Sequence, residues 1–178
     1  MEKRARHTYG TAIYEFARNI LVVCPRCGGK VLVRSNDPDS KIFDTREVKI
    51  AYSGCGFNKS LGGISFRDDR KQKRGNLLIF GAPVDPFFHL PVWLQDDFSG
   101  EILWAYNLEH LDFLAAHVGP KLRERNQANA PRSLGSRLPR WMTTARNREA
   151  VLKLIEKLKK NRLSAAELIR REPCPIFI

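Results

Sequence analysis

The sequence predicts an α+β fold: an antiparallel β region over residues 1–106 followed by a basic helical region over residues 107–178. Three observations predict it. Up to Tyr106 the apolar residues come in short branched runs divided by Gly, Pro, Asn and Asp. At Asn107 the spacing changes to a helical one, with Leu108, Leu111, Ala115, Val118 and Leu122 on one stripe. Beyond residue 119 the charge becomes strongly positive, with fifteen Lys or Arg against five Asp or Glu, while the whole chain of 178 residues carries +12. With ten Phe, three Trp, four Tyr and 43% hydrophobic residues, the chain can bury a substantial core and is not expected to be disordered.

Residues 9–19 carry a weak helical pattern through Ala12, Tyr14, Phe16 and Ala17. A strand is predicted at residues 20–23, then the turn Cys24-Pro-Arg-Cys27-Gly-Gly-Lys30, then a second strand at 31–34. Residues 35–40, rich in Asn, Asp and Pro, form a loop. A third strand at 47–52 runs into a second turn, Ser53-Gly54-Cys55-Gly56, so each of two strand-turn-strand units carries cysteine at its tip. Residues 64–67 predict another strand, and residues 67–74, with five basic and two acidic side chains, a solvated connection rather than a binding loop. Strands at 90–95 and 100–106 flank a turn at 96–100. Trp93, Trp104 and Tyr106 in these strands are expected in the core, although such rings can also stack on bases. In the helical region, Asn107 caps a helix that Pro120 ends near Gly119, and a short helix is expected from Ser133. A longer one starts near Thr144 or Asn147, with Val151, Leu154, Ile155 and Leu158 on its apolar side. Ser164-Ala-Ala-Glu167 has the form of a capping box for a last helix that Pro173 stops.

The opening Met1-Glu2-Lys3-Arg4-Ala5-Arg6-His7 leads into no apolar stretch of signal type, and the apolar runs at 20–23 and 77–80 are far shorter than the roughly 20 residues of a membrane span. A cytoplasmic protein with no membrane partner is therefore expected. In a reducing compartment its four cysteines are expected as metal ligands or core residues rather than a disulfide framework.

A Cys-x-x-Cys turn between two strands places two thiolates to share one metal ion, and the glycines after it let backbone amides approach the sulfurs. Cys24 and Cys27 supply that pair and Cys55 a third thiol. Tyr52 stands three residues before Cys55, where a second pair would have its first cysteine. Cys174, in Pro173-Cys-Pro175, is remote in sequence, and His7, His89, His110 and His117 have no ligand spacing with the cysteines, so surface or core roles are expected for them.

The chain resembles a group of bacterial proteins that contain a zinc ribbon of the transcription-factor type. The resemblance rests on Cys24-Pro-Arg-Cys27-Gly-Gly, on Cys55-Gly56-Phe-Asn-Lys59 as the remnant of a second knuckle, and on Leu90-Pro-Val-Trp-Leu-Gln95. It continues through residues 103–114, 133–142 and 145–151, and so covers most of the chain. It implies a zinc-ribbon-like β region, zinc held by Cys24, Cys27 and Cys55, and contact with nucleic acid. The second Cys-x-x-Cys is degenerate, and a ribbon held by its apolar core without metal is the competing picture.

No arrangement specifies catalysis: there is no H-E-x-x-H helix, no G-x-x-x-x-G-K-[ST] loop and no G-x-S-x-G elbow. Glu109, His110 and Asp112 at a helix start are explained by capping and solvent-facing charge, and the turn of Cys27 lacks the helix N-terminus that a redox pair uses. The sequence predicts binding. Arg132, Arg137, Arg140, Arg146, Arg148, Lys153, Lys157 and Lys160 are the candidates to contact the phosphates of a nucleic acid, DNA or RNA. The alternative is a protein-interaction adaptor with a vestigial metal site, using an apolar patch at Leu163, Leu168, Ile169 and residues 176–178, although that apolar end is expected to tuck into the core.

Overall fold

In a computed structural model, residues 11–35, 45, 47–62, 64, 78–119 and 133–168 are described, the last eight of these by their backbone alone. Four strands, β1 (Asn19–Val23), β2 (Lys30–Ser35), β3 (Glu47–Tyr52) and β4 (Phe57–Gly62), make one antiparallel sheet in sequence order. β1 meets β2 in a register running from Asn19 opposite Arg34 to Val23 opposite Lys30, and β3 meets β4 from Glu47 opposite Gly62 to Tyr52 opposite Phe57. Alternate side chains on a strand point to opposite faces, so Ile20, Val22, Val31, Val33, Val48 and Ile50 all bury on one side. Branched side chains fit that pleated surface, which is why these short runs become strands.

The outer edge of β1 is not left open. Leu21 N–H donates to the Tyr106 carbonyl and Leu21 C=O accepts from Trp93 N–H, both at 2.8 Å, and Val23 N–H donates to the Pro91 carbonyl at 2.9 Å. The segment supplying those partners is braced by Asp85, whose buried carboxylate accepts from the amides of Phe87, Phe88 and Leu90 at 2.7 to 3.0 Å. Burial pushes its pKa up, against the pull of those amides.

A separate hairpin follows, β5 (Leu94–Phe98) with β6 (Glu101–Ala105). The sequence reading placed Asp96 to Phe98 in the turn. They belong to the strand instead, because Ser99 and Gly100, with φ of 54° and 86°, close the hairpin with two residues in the left-handed region. Behind it pack the helices α1 (Leu108–Val118) and α4 (Arg148–Leu168), with Leu94, Leu103, Ala105, Leu111, Leu114, Val118, Met142, Val151, Ile155 and Leu158 as their joint core. Asn107 caps α1 by accepting from His110 N–H at 2.9 Å, and its amide donates to the carbonyls of Phe16 and Asn19. α2 (Leu134–Arg137) starts at its Ser133 cap, and α3 (Arg140–Thr143) is a further turn that the sequence reading did not contain.

Two helical expectations change. Of residues 9–19, those described (11–19) hold one 3-10 turn at Ile13–Phe16, and the helix from Arg148 continues through Leu168 without a new start at Ser164. Ser and Ala tolerate a helix interior, so a capping box inside a helix already nucleated by packing is simply read through. Ile64 is outside any strand, and the rest of the strand expected at 64–67 lies outside the described residues. So do His7, Arg132, Cys174, Pro120, the loop at 36–40, the charged connection at 67–74, Ile169 and the apolar end at 176–178, and the side chains of Leu163 and Leu168. Tyr106 is fully buried, and Trp93 and Trp104 pack half-buried on the cores, as expected of core aromatics. No helix among the described residues is long and apolar enough to cross a membrane.

His110 joins the two halves of the core. Its ring stacks on Phe16 of the sheet side at 4.8 Å, and its Nδ1 accepts from Tyr106 N–H at 3.2 Å. Burial lowers its pKa to about 3. A histidine held neutral in the fold binds a proton only in the unfolded chain, so its contribution is complete above about pH 6.5 and is lost as pH falls towards 3. Unfolding free energies measured by denaturant from pH 7 to pH 4 should fall by up to about 1.4 kcal/mol per pH unit from this group. His110→Phe should be less stable at pH 7 but show a flatter pH dependence.

Candidate metal centre and basic face

The hairpin turns β1-β2 and β3-β4 are built alike. In the first, Cys24 N–H donates to the Gly29 carbonyl at 2.8 Å and Gly28 has φ of 71°; in the second, Tyr52 is paired with Phe57 and Gly56 has φ of 70°. Each turn therefore has a cysteine, Cys27 or Cys55, followed by a glycine in the left-handed region that only a residue without a Cβ enters freely. Three residues before that cysteine stand Cys24 in one turn and Tyr52 in the other. Neighbouring strands of one sheet bring the two tips together, and Arg26 clamps them by donating to the Cys55 carbonyl at 2.9 Å.

The result is a cluster in which the sulfurs of Cys24, Cys27 and Cys55 lie within 4.8 Å of one another, with Cys24 and Cys55 3.6 Å apart. A tetrahedral zinc with sulfurs at about 2.3 Å separates them by about 3.8 Å, so the spacing fits a shared metal ion. Cys24 is buried, whereas Cys27 and Cys55 are half-buried. Burial raises the Cys24 thiol, but the amides of Arg26 and Cys27 and the neighbouring thiols more than offset it, and its pKa ends below that of a free thiol. Cys55 moves the other way, raised by desolvation and by Cys27 and Cys24 beside it, against the Phe57 amide. Three thiolates cannot all carry charge at this distance without a cation among them, and a divalent metal supplies one.

Tyr52 lies against a glycine of each turn. Its ring lies so near Gly54 that a Cβ there would stand 2.8 Å from the ring and 2.9 Å from its hydroxyl. At Gly29 a Cβ would stand 2.8 Å from the same hydroxyl and 3.4 Å from Cys27 Sγ. Both glycines are thus fitted to the tyrosine, a role the sequence reading did not give them.

The chain was compared with protein-family models, curated proteins and solved structures, and none of the three gave a match. Its chemistry has to be read from the geometry.

The candidate phosphate contacts fall into three sets. Arg148 is engaged, its Nε donating to the Val118 carbonyl at the end of α1 at 3.2 Å, and Lys157 pairs with Asp96 at 2.6 Å. Arg137, Arg140, Arg146, Lys153 and Lys160 are exposed and have no acidic partner among the described residues. Arg132 is outside the description. Along α4, Lys153, Lys157 and Lys160 recur at i, i+4 and i+7 and share a face opposite buried Val151, Ile155 and Leu158.

A feature absent from the sequence reading is a groove of about 920 Å³ between the 3-10 turn, β6 and the α2-α3 segment. Tyr14, Ile102, Trp104, Leu138 and Trp141 line it and Arg137 stands on its wall. Ile102, at 51% exposure, is the most open large apolar side chain among the described residues. These residues come from three separate segments, so no local pattern announces the groove.

The native protein is expected to carry one metal ion per chain by elemental analysis, with Cys24, Cys27 and Cys55 slow to react with a thiol reagent until a chelator is added. Replacing any one of the three by serine should abolish that protection. Gly54→Ala should cost about 1 to 3 kcal/mol in denaturant unfolding, the range for overpacking a filled site. The double change with Tyr52→Ala should recover most of it.

Proposed function

We propose that this protein is a non-catalytic nucleic-acid-binding protein whose β region is a metal-held ribbon and whose helical region supplies the phosphate contacts. Zinc, held by Cys24, Cys27 and Cys55, is the metal that the sulfur-rich donor set and the sulfur spacing favour. Its part is structural: it fixes two hairpin tips to each other.

The observation that carries the reading is the set of exposed, unpaired cations. Arg137, Arg140, Arg146, Lys153 and Lys160 are left free of acidic partners among the described residues, in a chain of net charge +12 whose excess sits mainly after residue 119. Cations that only solubilised the helices would need no such concentration, whereas each phosphate contact releases counterions and adds to affinity. Lys157 stays near this face despite its pairing, because an exposed ion pair contributes little and exchanges readily with a phosphate.

A second reading, an adaptor for an apolar protein segment, is favoured by the groove beside Ile102 and Trp141. The two readings separate by salt. Binding of a fluorescent oligonucleotide, followed by anisotropy, should weaken with added salt by about 0.9 log units in affinity per log unit of salt for each duplex phosphate contacted. Lys153→Glu with Lys160→Glu should lower both the affinity and that slope. Oligonucleotide binding that is absent at low salt would leave the adaptor.

A further inference from the structure

Resting on the metal reading of Cys24, Cys27 and Cys55, the geometry points to one more ligand: we propose that the phenol oxygen of Tyr52 is the fourth donor, making the centre a set of three sulfurs and one oxygen. Three features of the two hairpins carry this.

The first is position. The β1-β2 and β3-β4 turns match residue for residue, with Cys24 before Gly29 in one and Tyr52 before Phe57 in the other, each five residues apart across the turn. Tyr52 therefore starts from the corner that a fourth thiolate would occupy. The second is direction. A tyrosine is much longer than a cysteine, and from that corner it could point to solvent; instead its ring folds over Gly54 and its hydroxyl ends beside Gly29, where the same Cβ position that lies 2.8 Å from the hydroxyl lies 3.4 Å from Cys27 Sγ. The third is room. Gly29 and Gly54 both lack the Cβ that would stand 2.8 Å from this side chain, so two glycines from different turns make its seat.

An oxygen corner changes the chemistry of the site. Zinc accepts sulfur and oxygen donors together, whereas softer thiolate-seeking ions such as Cu(I) gain little from a phenol. The fourth bond would also be the weakest of the set, so an incoming ligand or a chelator would enter there. Cys24 is buried and Arg26 covers the tips from the other turn, which leaves the tyrosine as the movable side.

Cobalt(II) in place of zinc reports this directly, because its visible ligand-field bands respond to the number and kind of donors. The protein would be loaded with cobalt(II) as wild type, Tyr52→Phe and Tyr52→Cys, each first shown to fold by circular dichroism. The proposal expects intense four-coordinate bands in wild type. In Tyr52→Phe the bands should shift and weaken, with at least about tenfold lower affinity in competition with zinc. In Tyr52→Cys they should move to longer wavelength and the affinity should rise, as a fourth sulfur replaces the oxygen. Tyr52→Phe bands and affinity indistinguishable from wild type would overturn the assignment while leaving the three-cysteine site intact. A wild-type protein that takes up neither cobalt nor zinc would overturn the metal reading itself.

Discussion

The fold depends on a short seam of backbone hydrogen bonds at the outer edge of β1. Leu21 is bonded on that edge to Trp93 and Tyr106, two residues far away in sequence, so the four-stranded sheet and the β5-β6 hairpin with its helices become one body. Unmet amides and carbonyls in a buried position cost about as much as the bonds they fail to make, so neither half satisfies this edge by itself. The side chains reinforce the same junction: Asn107 caps α1 while donating to Phe16 and Asn19, and His110 lies on Phe16 while accepting from Tyr106. The polar groups at the seam are paired, which permits the apolar cores on either side to close over it.

That arrangement leaves the sheet with two different edges. β1 is covered, whereas β4 is the far edge and its side chains are largely exposed, Lys59 lying over the ring of Phe88. The cysteine turns stand at the end of this sheet, with Cys24 in the core and Cys27, Tyr52, Cys55 and Phe57 packed against it. Rigidity there comes from that packing together with the glycines of the turns and the Arg26 clamp.

Much of the fold was legible from the sequence because local rules and packing agree. Branched residues at 20–23, 31–34 and 47–52 became strands, and Asn107 capped a helix ending near Gly119. The misses have a common cause in non-local structure. Asp96 and Asp97 carry turn chemistry, yet pairing with Leu103 and Ile102 holds them in a strand. Trp141 and Met142 follow a proline and look like part of a loop, but burial of Met142 against α4 makes them a helical turn. At the candidate site the spacing of Cys24 and Cys27 was sufficient to flag them, and Tyr52 was visible only as a departure from a pattern. That its ring would turn inward depends on Gly29, twenty-three residues earlier, which no local window relates to it.

The meeting of the two turns also has a meaning for the unfolded chain. Cys27 and Cys55 belong to different hairpins, and everything between them lies in one stretch of polypeptide. A metal bridging them would tie that stretch into a ring, much as a covalent cross-link does. By the chain-entropy estimate for a loop of this size, the ring removes roughly 3 to 4 kcal/mol of freedom from the disordered state. Loss of the ion would then be felt by the entire β sheet, even though its ligands touch only one end of it.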